Sequence, residues 1–346
     1  MATSRDIAEA AGVSQSTVSR VLRGDTRVGA DARERVLEAS RAAGYSPNLL
    51  ARSMRTQRTG CISLVIADIT NPLFGQIVRS VERALAERGL TLVLWDEDAR
   101  DTNAMEDVRL SLVDGIIMAA ALPGSRVLDA ALRNRVPMVL INRTLDDLEA
   151  DAVLSEDYRG GFLAAQYLVA CGRKRIGALS GPDGATNSRD RARGFRDGLA
   201  ASGTGLPPTL DRTGEITHEA GRQALHAMVR DDPDLDAVFC ISDLIALGVV
   251  DGAKELGRDV PADLFVMGYN DIDMASWASY SLSTFSHPID QMASEALNLL
   301  TRRIAHPNSR ATVVRLPNRL IIRDSTNQVP FPGPMSTDEL PDLEGE

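Results

Sequence analysis

No stretch of the 346-residue chain approaches the ~18 consecutive apolar residues that a membrane helix needs, although 44% of its residues are hydrophobic. A bilayer-spanning helix is therefore excluded, and a globular protein without a membrane partner is expected. Met1 to Asp6 lacks the apolar segment of roughly 7–15 residues that a secretory signal carries, which points to the cytoplasm. Cysteine is scarce. Cys61, Cys171 and Cys240 have neither metal-ligand spacing nor the even count of a disulfide framework, so reduced, buried thiols are expected. Metal-ligand clusters, phosphate-binding glycine loops and nucleophile–base pairs are lacking too, which argues against an enzyme and against a cofactor.

Charge is present but uneven. The net charge of −10 hides two opposed segments: residues 1–58 hold ten arginines against six acids, giving +4 and leaving −14 for the rest. A basic end on an acidic body suits a protein whose N-terminus alone touches phosphate while the body repels DNA. The length fits a small module plus a large two-lobed body.

In the basic end, Thr3 stands three residues before Asp6, a capping box with Asp in place of Glu. It opens a helix whose apolar stripe is Ile7, Ala8 and Ala11. Gly12 suits a tight turn, and Ser14 caps a second helix from Gln15 to about Arg23. Ala8, Gly12 and Val18 are spaced as in a helix-turn-helix: a small residue where the helices approach, glycine at the turn, and a branched residue locking one helix onto the other. A third helix, about Ala30 to Ala43, is expected to bury Val36, Leu37 and Ala39. A hairpin that merely packs is the plain alternative. Against it, Gln15, Ser16, Thr17, Ser19 and Arg20 are polar and mostly uncharged, which suits hydrogen bonds to base edges and phosphates. Gln15, Ser16 and Arg20 are the expected base readers, with Thr3, Thr17 and Ser19 beside them at the DNA.

Asn48 to Arg55 has helical composition but spans barely two turns. Isolated helices shorter than ~12–15 residues are marginal in water, so this segment should fold only where DNA or a partner chain packs against it. Asn48, Ala51, Arg52, Met54 and Arg55 are its candidate DNA contacts, and Thr56 to Gly60 reads as a linker.

Gly12-Val13-Ser14-Gln15-Ser16-Thr17-Val18-Ser19-Arg20-Val21-Leu22, with Gly44-Tyr45-Ser46-Pro47-Asn48 and Ala51-Arg52, closely resembles the lactose-repressor (LacI/GalR) family of bacterial transcription factors. Asn71-Pro72-Leu73-Phe74, Asp114-Gly115-Ile116-Ile117, Arg191 with Gly194-Phe195, Ser242-Asp243 and Gly268-Tyr269-Asn270-Asp271 continue in family order to about Asp324. The resemblance implies a repressor that binds a pseudo-palindromic, double-stranded operator as a homodimer. It also implies an apolar wedge in the minor groove, here Met54 where the family has leucine. Control would come from a small polar effector of unknown identity, a sugar or related metabolite. A regulator controlled by a partner protein, and a solute-binding transport component, are the competing readings. The reader helices count against the second.

From Cys61 onward, buried-strand runs alternate with helical stretches: Ile62–Ala67, Leu90–Trp95, Gly115–Met118, Met138–Ile141, Ile176–Leu179, Val238–Ile241 and Phe265–Met267. That is the pattern of parallel sheets covered on both faces. With the resemblance, the expected fold is an N-terminal all-α helix-turn-helix module plus an α/β periplasmic-binding-protein-like core of two doubly wound parallel-sheet lobes. The expected domains are a helix-turn-helix at 1–47, a hinge helix and linker at 48–59, an effector-binding and dimerisation core at 60–326, and an acidic, disordered tail at 327–346. Within the core, lobe 1 takes about 60–157 and 289–320, and lobe 2 about 158–288 and 321–326. The tail carries no leucine heptads, which favours a dimer over the tetramers of some relatives.

Ligands of such folds sit at the carboxyl ends of the strands. The residues that match family pocket positions are Leu73, Phe74, Asp157, Asn187, Arg191, Ile216, Ser242 and Asn270. For Phe74 the alternative is core packing, and for Arg191 a solvated charge on a helix face. Asp243 is expected to cap the helix from Leu244. Ile216 replaces an aromatic residue and Asn270 an aspartate of many sugar-binding relatives, which weakens face-stacking on a pyranose and exchanges a pure acceptor for a group that also donates. His287 stands where the family usually has glutamine, and a structural hydrogen bond is expected of it rather than a pH role.

Overall fold

The computed structural model describes residues 2–22, 25–44, 58–97, 110–119, 121–182 and 184–326. They form two compact units that divide between Gly60 and Cys61. Asn48, Ala51, Arg52, Met54, Arg55 and the tail 327–346 lie outside the described residues.

The first unit is three helices, α1 (Ser4–Ala10), α2 (Gln15–Leu22) and α3 (Ala30–Ala42). The capping box forms as expected. The Asp6 carboxylate accepts from the Thr3 backbone N–H at 2.7 Å, and Thr3 Oγ1 accepts from the Asp6 N–H at 3.4 Å. Gly12 takes φ +63°, the left-handed value that turns α1 into α2. Ile7, Ala8, Ala11, Val18, Val21 and Val36 make the core. Leu37 does not join them. It is 39% exposed, because one residue of α3 turns by about 100° and Val36 already faces the pair. Ala39 packs at the core's edge.

The second unit carries two parallel sheets. The first has the order β11-β5-β4-β3-β1-β2, from β1 (Cys61–Ile66), β2 (Thr91–Asp96), β3 (Gly115–Met118), β4 (Met138–Ile141), β5 (Asp151–Ser155) and β11 (Val313–Leu316). Helices α4 (Pro72–Ala86) and α10 (Ile289–Ala305) pack together on one face, and α5 (Arg126–Arg133) contributes to a separate core with residues of β3 and β4. The second sheet has the order β7-β6-β8-β9, from β6 (Ile176–Ser180), β7 (Asp211–Thr213), β8 (Ala237–Cys240) and β9 (Phe265–Met267). Its helices come in two pairs, α6 (Asp157–Ala170) with α7 (Thr186–Ala201), and α8 (His218–Asp231) with α9 (Asp243–Glu255). The chain crosses between lobes three times: from β5 into α6, from β10 (Thr284–Ser286) into α10, and from β11 into β12 (Arg319–Ile321). β10 and β12 pair antiparallel with Phe285 opposite Leu320.

β5 is absent from the sequence expectations because an acid opens it. Asp151 is almost wholly buried and is held by Arg302 at 2.9 Å, Arg303 at 2.8 Å and the Thr312 N–H at 2.8 Å, partners about 150 residues away. The short β7, β10 and β12 and the edge strand β11, where polar residues interrupt or flank the apolar ones, escape for the same reason. None of the three cysteines is in a disulfide, but only Cys240 is fully buried; Cys61 and Cys171 are half-buried.

α6 and α7 touch backbone to backbone. A Cβ on Gly161 would lie 2.0 Å from the Arg191 carbonyl oxygen, and one on Gly194 would lie 1.9 Å from that of Tyr158. This close approach brings Arg191 beside Asp157.

Candidate nucleic-acid interface and effector cleft

On α2, Gln15, Ser16 and Arg20 are exposed, within an arc of about 140° opposite the buried Val18 and Val21. Thr17 and Ser19 flank them half-buried. Ser14 organises the start of the helix: its Oγ accepts from the Thr17 N–H at 3.2 Å and lies 2.7 Å from the Ser16 hydroxyl. Thr3 is exposed, with its hydroxyl engaged in the cap of α1. The arrangement presents amide, hydroxyl and guanidinium groups on a rigid helix, the donor and acceptor set that reads a major groove.

In the second unit, Arg191 is not a solvated helix-face charge. Its side chain is 3% exposed, and Nε donates to Asp157 at 2.7 Å. Nη1 donates to the Ile241 carbonyl and to Asn270 Oδ1, both at 2.9 Å, and Nη2 lies 3.0 Å from His287 Nε2. The guanidinium sits 4.0 Å from the centroid of the Tyr269 ring. Asp157 also accepts from Ser155 at 2.9 Å. Burial raises the Asp157 carboxyl against the opposing pull of Arg191. Burial and then the adjacent Arg191 charge push His287 well below its ordinary range, so its ring is neutral. Burial and then the Asp157 carboxylate hold the Tyr269 phenol proton well above its usual value.

This cluster contains a mismatch. His287 Nε2 lies 3.0 Å from Asn270 Oδ1 and the same distance from Arg191 Nη2. A guanidinium only donates, so the amide oxygen and the imidazole nitrogen both turn lone pairs to it, and then face each other as two acceptors. If His287 instead protonates Nε2, it meets Arg191 donor to donor. Each assignment leaves one edge of the triangle unsatisfied.

Of the eight expected pocket residues, Asp157, Arg191, Ser242 and Asn270 come together, the last donating to Ser242 Oγ at 3.4 Å. Asn187 reaches across to the other lobe, where its amide donates to Asn142 Oδ1 at 3.3 Å. Thr186 and Thr144 bond across the same rim at 3.0 and 3.1 Å, and Arg189 grips Asp146 with two bonds of 2.5 and 2.9 Å. On another line of contact between the lobes, Gln76 and Arg79 both reach Asp273 at 3.1 Å. Leu73 and Phe74 are buried in the core, and Ile216 packs half-buried beside Gly181. None of these three has a polar partner in the cluster.

The cap of α9 is Ser242, whose Oγ accepts from the Leu244 N–H at 3.3 Å. Asp243 is the first helical residue instead. It is fully buried and accepts from the Ile272 N–H at 2.9 Å and the Thr284 hydroxyl at 2.6 Å, and burial raises its carboxyl to about 6. His287 is buried at hydrogen-bonding distance from both Arg191 and Asn270, and its Nε2 can satisfy only one of them at a time. Tyr269, Asn142, Thr186 and Asn318 were not singled out. The Gly160-Gly161 doublet inside a helical pattern is the signal that would have led to Tyr269, since paired glycines in a helix mark a close approach.

Among the described residues, no group of His, Cys, Asp and Glu could hold a metal ion, and no helix is long and apolar enough to cross a membrane. Residues 3–48 match the sequence profile of the bacterial regulatory proteins of the lacI family, and residues 165–326 that of the periplasmic binding protein-like domain. The ribose operon repressor of Escherichia coli K12 is 32% identical over 329 residues, spanning 94% of this chain and all of the repressor. The chain belongs to the LacI family. Within the LacI family, the structure of the regulator CelR in complex with cellobiose superposes with a TM-score of 0.71 at 30% identity, over 94% of this chain and 100% of that one. The lac repressor dimer bound to operator, 24% identical over 94% of this chain and 99% of that one, shares the fold with a TM-score of 0.79. As a LacI-family protein, the chain is a DNA-binding transcriptional regulator and not an enzyme.

Proposed function

We propose that the chain represses transcription as a homodimer on a pseudo-palindromic operator, and that a small hydroxylated metabolite, a sugar or polyol, controls its grip from the cleft around Arg191. The observation that carries the effector class is the mismatched triangle of Arg191, Asn270 and His287, a buried polar node that its own groups do not satisfy and that suits a ligand able to both donate and accept hydrogen bonds. The polar surroundings support this: one carboxylate matches one guanidinium, His287 is neutral, and the remaining groups are amides and hydroxyls, so the inner cleft carries no net charge. With Ile216 packed at the wall, no ring is offered for face-stacking there. A working place beside the nucleoid, in the cytoplasm, follows from the DNA partner.

Gln15, Ser16 and Arg20 read base edges, while Arg52 and Arg55 of the segment 48–56 hold phosphates. Effector and operator binding are coupled by roughly 1–3 kcal/mol. Two measurements test the reading. Selection from a random duplex library should enrich a palindrome. On that site Arg20→Ala should cost about 1–3 kcal/mol of discrimination, while Arg52→Ala weakens all sequences alike and flattens the salt slope by about one unit. Equal losses on selected and random DNA for both variants would refute the assignment. In a thermal-shift panel of sugars, polyols, nucleosides and sugar acids, a true ligand at 100 times its Kd adds about 2.7 kcal/mol. A response confined to the acids would overturn the neutral class.

A further inference from the structure

The three crossings between lobes share one side chain. Tyr269, fully buried at the end of β9, touches each of them. At the first crossing its hydroxyl fills the space above Gly160 in α6, where a Cβ would lie 2.0 Å from Oη and 2.8 Å from Cζ, so no other residue fits without displacing the ring. At the second, its ring stacks on Phe285 with centroids 5.3 Å apart and an interplanar angle of 17°, and lies 5.4 Å from the ring of His287. At the third, Asn318, between β11 and β12, donates from its amide to the Tyr269 hydroxyl. The Arg191 guanidinium rests over the same ring at 4.0 Å. The backbone just after it is unusual: Asn270 and Asp271 have φ of +120° and +55°, a conformation that non-glycine residues keep only where the surroundings over-determine it. Arg191 and His287 hold the Asn270 side chain, and Arg323, just past β12, holds that of Asp271 at 2.7 Å.

We propose that Tyr269 is the hinge pin of the sensor unit, a positioning residue that ties Arg191 to all three crossings so that they loosen or tighten together. Without such a pin each crossing is a separate pivot, and a change at Arg191 reaches only the crossing of its direct partners. With it, displacement of the guanidinium shifts one ring, and that ring bears on Gly160, Phe285 and Asn318 at once. The pin deepens the regulator reading by supplying the element through which the cleft acts on the relative position of the lobes.

The test is hydrogen–deuterium exchange on the full-length chain, comparing the wild type with Tyr269→Phe and Asn318→Ala. Tyr269→Phe removes the hydroxyl, while Asn318→Ala removes only its amide partner at a half-buried site and guards against a misfolded first variant. Expected is a rise of about fivefold or more in the segments 157–162, 284–290 and 316–322 together, in both variants, with β6 and β8 unchanged within about twofold. Phe265→Leu, a core change in the same lobe away from the crossings, should leave the three segments at the wild-type rate. A rise limited to 267–271 in the first variant and 316–322 in the second would overturn the proposal. So would a uniform rise across the lobe, which marks a merely structural residue. Operator binding by the wild type is measured separately, so a failed regulator reading would show as lost DNA binding, with the exchange pattern still readable.

Discussion

The reader and the sensor hold their polar groups at opposite ranges. In the reader, Thr3 bonds Asp6 and Ser14 bonds Thr17, partners three residues apart on an exposed surface. In the sensor, the partners of Arg191 stand 34, 50, 79 and 96 residues away, and all are buried. A local bond at the surface costs little to lose, because water replaces it. A distant bond in the interior exists only when the whole fold has formed, and its loss strands a charge. The reader's polar caps therefore form within a few residues of chain, although its short helices still rest on a shared core. The sensor's polar cluster needs the whole fold.

The sharpest way to break this contrast is Arg191→Ala, which leaves Asp157 buried without its cation. It should destabilise the sensor by about 3–5 kcal/mol. Trp95 and Trp277 both lie in the second unit, so urea unfolding followed by tryptophan fluorescence reports the sensor alone. A loss below about 1 kcal/mol would mean that the node contributes no more than a surface pair.

Next in size is the effect of pH on Asp243. Its carboxyl is raised in the fold from an ordinary 3.8 to about 6. Its contribution to stability is therefore full below about pH 4 and is lost as pH rises through 6, by roughly 3 kcal/mol at 1.36 kcal/mol per unit. Asp243→Asn does not titrate, so its stability relative to the wild type should fall by about that amount between pH 7 and pH 4. His287 works in the opposite sense. It is neutral in the fold and charged in the unfolded chain below about 6.5, so its contribution is present above that pH and lost below it. Urea titrations of Asp243→Asn and His287→Gln should thus diverge from the wild type in opposite directions on acidification. Parallel curves would show that neither group is buried as described.

The same contrast decides what could be read from the residues alone. The capping box, the Gly12 turn and the Ala8, Gly12, Val18 spacing are short-range patterns, and the structure shows each of them. Strands β3, β4 and β9 are uninterrupted apolar runs and coincide with their expected bounds. β5 was hidden because the arginines that make Asp151 tolerable lie on a helix 150 residues further on. Ser242 rather than Asp243 caps α9 for a similar reason: either could do so, and only Thr284 and Ile272, brought in by the fold, claim the carboxylate. In the cleft, Asp157, Arg191, Ser242 and Asn270 were recognisable by matching family positions. Their mutual bonding, and the role of Tyr269, depend on contacts no spacing encodes.

Thr3→Ala gives the smallest of these effects and tests the other side of the comparison. Thr3 Oγ1 accepts from the Asp6 N–H, and the Asp6 carboxylate returns the bond to the Thr3 N–H, which holds that carboxyl below its ordinary range. Losing the hydroxyl leaves the returning bond in place, so about 1 kcal/mol of helix stability should go, confined to the reader. Amide exchange at Ile7 and Ala8 should rise, operator affinity should fall only as far as the helix frays, and Thr3→Ser should restore both. The tryptophan transition should not move. If it shifts, reader and sensor share a folding equilibrium, and the local support of the DNA-reading face is no longer its own.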